Sequence, residues 1–298
     1  MNSYILKATA GGGSIRAFFI DSTNIVNEAQ KIHNTSYTAT AALGRALTAA
    51  SMMGSMLKNE SELITLSIRG DGPLKGIVAT SDFTANVKGY VFNPGVDMPL
   101  KGNGKIDVSG SIMPGVLNVI KDTGIKEPYV GQVSLISGEI AEDITSYYAN
   151  SEQVPTSVAL GVLVDTDGSV KQAGGFIIQL MPFVETATIE KLEKNILALP
   201  SITSLLDGGI SIEEILDTVI GEFGVSINER IEAGYFCNCS RKRVKKALAS
   251  IGEIELNKII DEDKSASLHC HFCGKDYHFS ENELREIVHK LSKHKKTT

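Results

Sequence analysis

All four cysteines of this chain fall after residue 236 of 298, as Cys237-Asn238-Cys239 and Cys270-His271-Phe272-Cys273. A disulfide framework runs through the fold it staples, so thiols confined to one end leave the rest of the chain to stand on a hydrophobic core. Two close thiol pairs separated by 30 residues can bring four sulfurs into a tetrahedron, the arrangement structural zinc prefers. CxxC is a common half-site. CxC is rarer, because its sulfurs close a tighter chelate ring. The spacing predicts a four-cysteine metal centre at Cys237, Cys239, Cys270 and Cys273, with Cys/His mixtures using His269, His271 or His278 as the alternative. Residues 269 and 271 flank Cys270, and in an extended chain both would point away from it.

Composition narrows the class. Hydrophobic residues make up 42% and charged residues 21%, which is ordinary globular usage. The tail from residue 237 holds 13 Lys and Arg against 9 Asp and Glu, a net +4, and the rest of the chain therefore carries −10 of the overall −6. Such a balance argues against a protein that binds nucleic acid over its whole surface. No apolar run approaches the roughly 18 residues needed to span a bilayer, and residues 1–10 lack a signal-peptide core. A cytoplasmic protein with no membrane partner is the expectation.

Along residues 1–182 the text reads as α+β. Runs at 14–20, 63–68, 76–80, 87–92, 116–120, 132–136, 158–164 and 175–180 have strand character, separated by turns such as Gly70-Asp71-Gly72-Pro73 and Asn93-Pro94-Gly95. Residues 36–57, rich in Ala, Leu and Met, read as one long buried helix. Regular strand–helix alternation is missing, so the expected architecture is a large mixed sheet with helices rather than a doubly wound fold. Residues 183–234 read as a helical connector. Ile189, Leu192, Ile196 and Leu199 form one apolar stripe; Ser211 and Glu214 form a capping box ahead of Ile212, Ile215, Leu216, Val219 and Ile220. Helices this short gain their stability from docking. Residues 235–298 form a third, small α+β unit, with Ser240 capping a basic helix and Ser280-Glu283 a second capping box. A unit of this size with few large apolar groups needs a staple or a metal.

The cysteine pattern, together with the rest of the chain, resembles the heat-shock protein 33 family of redox-regulated chaperones. The stretches that carry the likeness are Arg69-Gly70-Asp71-Gly72-Pro73-Leu74-Lys75-Gly76, Ser137-Gly138-Glu139-Ile140-Ala141-Glu142-Asp143, Ser151-Glu152-Gln153-Val154-Pro155 and Gly174-Gly175-Phe176-Ile177-Ile178-Gln179-Leu180-Met181-Pro182, in that order before the cysteines. The resemblance implies an ATP-independent holdase, not an enzyme. It would be inactive when reduced with one Zn²⁺ per chain on Cys237, Cys239, Cys270 and Cys273. Activity would come with oxidation to a homodimer with Cys237–Cys239 and Cys270–Cys273 disulfides, which holds unfolding client proteins. Melting of the tail and then of the connector would uncover the apolar surface that binds them.

Other features read as structural. The basic run Arg241, Lys242, Arg243, Lys245 and Lys246 would favour thiolate at the CxC pair, or serve as a nucleic-acid patch; the competing class is thus a zinc-ribbon nucleic-acid or ribosome-binding protein, although the resemblance implies no nucleic-acid partner. Gly11-Gly12-Gly13-Ser14 lacks the Lys-Ser/Thr of a phosphate loop and reads as a hairpin turn. Glu139, Glu142 and Asp143 are expected to be solvated, His33 to be structural, and Met52, Met53 and Met56 to be core.

Overall fold

The computed structural model describes residues 2–125 and 127–295. The chain divides between Phe236 and Cys237 into two compact units.

The first unit begins with strands β1 (Ser3–Ala10) and β2 (Ile15–Asp21), joined by a tight turn at Gly11–Gly13, then helices α1 (Thr23–His33) and α2 (Tyr37–Gly54). Strands β3 (Leu63–Gly70), β4 (Gly76–Asp82) and β5 (Val87–Val91) follow, then the short helix α3 (Val108–Ile112) and strands β6 (Gly115–Asp122) and β7 (Tyr129–Ser134). Helix α4 (Ala141–Tyr147) leads to strands β8 (Thr156–Val164) and β9 (Val170–Leu180). Helices α5 (Thr186–Ala198), α6 (Ile202–Asp207) and α7 (Ile212–Ile220) precede strand β10 (Ser226–Ala233).

The α+β class holds, and the strands divide between two five-stranded sheets rather than one. The orders are β10-β1-β2-β9-β8 and β5-β4-β3-β6-β7, and every neighbouring pair is antiparallel. Short connections join β1 to β2, β3 to β4, β4 to β5, β6 to β7 and β8 to β9, and a short connection favours antiparallel pairing over a parallel crossover. Helix α2 packs against strands of both sheets, and sixteen of its residues are buried, which is why its text lacks an amphipathic stripe. Gly44 is required there: a Cβ would stand 2.6 Å from Val26 Cγ1 and 2.8 Å from Val162 Cγ2. Buried hydroxyls are paired, Thr48 Oγ1 with Ser22 at 2.6 Å and Ser51 Oγ with the Ala85 carbonyl at 2.8 Å. Met52 and Met53 are core, as expected.

The β10-to-β8 sheet is apolar on both faces. Ile5, Phe18, Ile20 and Ile177 point to the α2 side, whereas Leu6, Ala8, Ile15, Ala17, Phe19, Phe176 and Ile178 point the other way. The second face is covered by the connector, through Leu192, Ile202, Leu206, Ile212, Ile215, Leu216, Val219 and Ile220. The Ser211–Glu214 capping box is present. Residues 226–233 depart from the helical reading: they form β10, mostly polar and exposed, which suits an edge strand on β1. The connector is therefore held at both ends by one sheet. Just beyond it, Phe236 N donates to the Val87 carbonyl at 2.9 Å and Tyr235 Oη to that of Gly89 at 2.8 Å.

The second unit comprises helices α8 (Arg241–Ser250) and α9 (Glu253–Glu262), the hairpin β11 (Ser265–His269) and β12 (Asp276–Ser280), and helix α10 (Glu281–Lys295). Ser240 caps α8, and Glu283 accepts from Ser280 N and Oγ at 3.0 and 3.2 Å. Among the described residues the buried apolar side chains are Leu248, Leu256, Ile260, Phe279, Leu284 and Ile287, with half-buried Val244, Ile259, Leu268 and Val288 packed against them. Among the described residues no helix is long and apolar enough to cross a membrane.

Candidate metal centre

The two cysteine pairs reach one point from different elements. Cys270 and Cys273 occupy the turn between β11 and β12. There Cys270 N donates to the Lys275 carbonyl at 2.9 Å, Cys273 N and Gly274 N both donate to the Cys270 carbonyl, and Gly274 adopts φ 68°. That left-handed residue folds the turn tightly enough to aim both thiols to one side. Cys237 and Cys239 lie in the extended segment before α8, held where Ser240 Oγ accepts from Arg243 N and Arg243 Nη1 donates to the Asn238 carbonyl at 3.3 Å.

The four sulfurs all lie within 4.8 Å of one another. Cys237 and Cys270 are 3.7 Å apart and Cys239 and Cys273 3.2 Å apart, with every thiol free and partly buried. A tetrahedron of sulfurs about 2.3 Å from a zinc ion has edges of about 3.8 Å, so the donor set fits that ion with small adjustments. Chemistry agrees with size. Burial raises the Cys237 thiol, and burial together with neighbouring thiols pushes Cys273 up to about 12. Burial also opposes ionisation of Cys239, but the Tyr277 hydroxyl 3.1 Å away and the adjoining thiols donate to its sulfur and bring it down to about 7. Donating that bond to the Cys239 sulfur pushes the Tyr277 phenol up to about 12. Sulfurs this close cannot all carry charge unless a cation compensates them.

Two cations of the basic run are engaged by carboxylates of α10. Arg241 is turned to Glu283 at 2.6 Å and Lys245 to Glu286 at 3.3 Å, while Tyr277 is the leading influence that lowers Cys239. Tyr277 escaped the sequence reading because it meets Cys239, 38 positions earlier, only in the folded unit. The histidines stand apart from the sulfur cluster. His269 Nδ1 is 2.8 Å from Asp276 Oδ1 and His278 Nδ1 2.7 Å from Ser267 Oγ, and the rings of His269 and His271 meet edge to face.

Of the three acids expected to be solvated, Glu142 is exposed, Glu139 is half-buried and ion-paired, and Asp143 is buried and structural. Asp143 is inaccessible and accepts from the backbone N–H groups of Ile136, Ser137, Gly138 and Ile140. Glu139 pairs with Arg45 at 2.6 Å and also with Lys101. His33 Nε2 lies 3.0 Å from the Tyr235 hydroxyl, a structural contact.

Residues 3–280 match the family model described as Hsp33 protein. The chain is 53% identical over 288 residues to the 33 kDa chaperonin of Lachnoclostridium phytofermentans, covering 97% of this chain and 99% of that one. It is 51% identical over 292 residues to the 33 kDa chaperonin of Clostridioides difficile, covering 98% and 100%. The crystal structure of the 33 kDa chaperonin (heat shock protein 33 homologue) of Thermotoga maritima matches with a TM-score of 0.89 at 40% identity, covering 98% of this chain and 100% of that one. By sequence along nearly its whole length and by fold, the chain belongs to the Hsp33 family of chaperones.

Proposed function

We propose that this protein is a redox-regulated, ATP-independent holdase of the cytoplasm, silent while Cys237, Cys239, Cys270 and Cys273 are reduced and hold one zinc ion. The observation that carries the reading is the gathering of four free thiols within 4.8 Å in a unit with, among the described residues, only six buried apolar side chains. When bound, zinc supplies a cross-link among four thiolates that is worth on the order of 10–16 kcal/mol in small modules.

Oxidation acts on the protein's own sulfurs. Each thiolate pair, Cys237–Cys239 and Cys270–Cys273, gives two electrons to one hydrogen peroxide, which takes two protons from solvent and becomes two waters, and an S–S bond forms. Disulfide sulfurs are no longer thiolate ligands, and the small core is left to hold its unit unaided. Unfolding that begins past Phe236 pulls on residues 234–236, which bond to β5, and on β10, which closes the connector. A loosened connector uncovers Leu6, Phe19, Phe176 and Ile178 together with its own apolar stripe. Broad apolar surface of this kind binds unfolding chains without a shaped pocket, and two copies acting as a homodimer present it twice. The protein then needs no catalytic group.

The test is suppression of aggregation of a thermally unfolding client before and after peroxide, with zinc release followed by a chromophoric chelator. Activity confined to the oxidised sample and rising with zinc release supports the proposal. Equal activity in both states, or metal-free protein from thiol-protected purification, overturns it.

A further inference from the structure

Helix α8 holds five cations in ten residues and no carboxylate. Two are engaged within the unit: Arg241 donates to Glu283 and lies 4.5 Å from the Phe279 ring centroid, and Lys245 pairs with Glu286. Arg243 spends one donor on the Asn238 carbonyl. Lys242 and Lys246 are exposed, and among the described residues neither has a carboxylate partner. At 100° per residue Lys242, Lys246 and Arg243 share an arc about 100° wide on the side away from buried Leu248, and the two lysines are about 6 Å apart along the axis.

Charge elsewhere sharpens the contrast. Residues 1–236 carry a net −10 and the tail +4, so this arc is a cationic outlet on an acidic protein. Between its cations the helix has only Val244, packed against the core, and past them Ala247, Ala249 and Ser250, too little apolar area for the core of a protein interface and no ring on which a base could stack. A polyanion whose charges are backbone phosphates needs neither. Three cations on one narrow arc suit a single strand.

We propose that the α8 arc of Lys242, Arg243 and Lys246 contacts the phosphate backbone of single-stranded RNA, independently of sequence, while the second unit is folded and reduced. The contact is separate from client binding, so its failure would leave the holdase reading untouched.

The experiment titrates reduced, metal-loaded full-length protein into a fluorescein-labelled single-stranded RNA of mixed sequence and reads anisotropy at about 50 and about 200 mM salt. Three phosphate contacts give a log–log slope of about −2.1, an affinity loss of about 18-fold across that range. Lys242→Gln with Lys246→Gln leaves one contact, a slope of about −0.7 and a loss of under about 3-fold, with weaker binding at the lower salt. Lys258→Gln, on α9 and paired with Glu255, changes neither reading. Zinc content and circular dichroism confirm that each variant is folded. Absence of RNA binding at about 50 mM salt, an unchanged slope in the double variant, or competition by polyglutamate as strong as by RNA overturns the proposal.

Discussion

The Tyr4 hydroxyl donates to Glu213 Oε2 at 2.9 Å, joining the first strand of the sheet to the first turn of α7. Arg230 on β10 completes the contact, donating to Glu213 Oε1 at 3.1 Å and lying 3.8 Å from the Tyr4 ring centroid. Burial and the Glu213 hydrogen bond push the Tyr4 phenol up to about 12, so it remains a donor throughout the physiological range. The connector is thus pinned by a polar latch as well as by its apolar stripe.

Tyr4→Phe removes the donor and keeps the ring under Arg230. The loss expected is about 1 kcal/mol, the usual worth of one hydrogen bond. Hydrogen exchange should speed up over residues 212–220 while α2 amides stay protected. Equal acceleration in both helices would show that the latch supports the whole unit rather than the connector.

Ile215→Ala trims a buried residue on the docked face of α7. Large-to-small changes of this type cost about 2–5 kcal/mol. Because the loss falls on the connector, the reduced variant should bind a hydrophobic dye and show holdase activity without peroxide. A reduced variant that stays silent, with its exchange pattern unchanged, would contradict the covering role given to α7.

Chelation of reduced protein should unfold the second unit and leave the first intact. Far-ultraviolet dichroism is expected to lose the part due to α8, α9 and α10, and protection of α2 amides to persist. Cys270→Ser should do the same without chelator, since three sulfurs form a weaker site. Full retention of α8–α10 structure in metal-free protein would remove the basis of the switch.

Glu139 links Arg45 on α2 to Lys101 in the loop before α3. Burial alone would raise its carboxyl, but hydrogen bonds from Lys101 and Arg45 outweigh that and hold it below its ordinary value of 4.5. A lowered folded value stabilises the protein at pH above about 4.5, and the gain is lost as pH falls through the folded value. Glu139→Gln should therefore cost about 1–3 kcal/mol at pH 7, and the difference from wild type should shrink between about pH 5 and pH 3. A constant difference in denaturant titrations across that range would show that charge is not the cause.

Local signals in the chain were sufficient for the parts that depend on near neighbours. The CxC and CxxC pairs, the Ser211 capping box, the Ser280–Glu283 contact, the Ser240 cap and the long helix read over residues 36–57, which the fold ends at Gly54, all depend on residues a few positions apart. Other features required distant partners. Residues 226–233 read as part of a helical connector and become a strand because they lie against β1, more than two hundred residues away in sequence. Asp143 reads as a surface acid until four backbone N–H groups close around it. Tyr277 acquires its influence on Cys239 only when a hairpin and a helix cap converge. Periodicity and spacing report chemistry within one element; which faces meet, and so what the connector hides, depends on burying both faces of one sheet at once, a condition that exists only in the assembled fold.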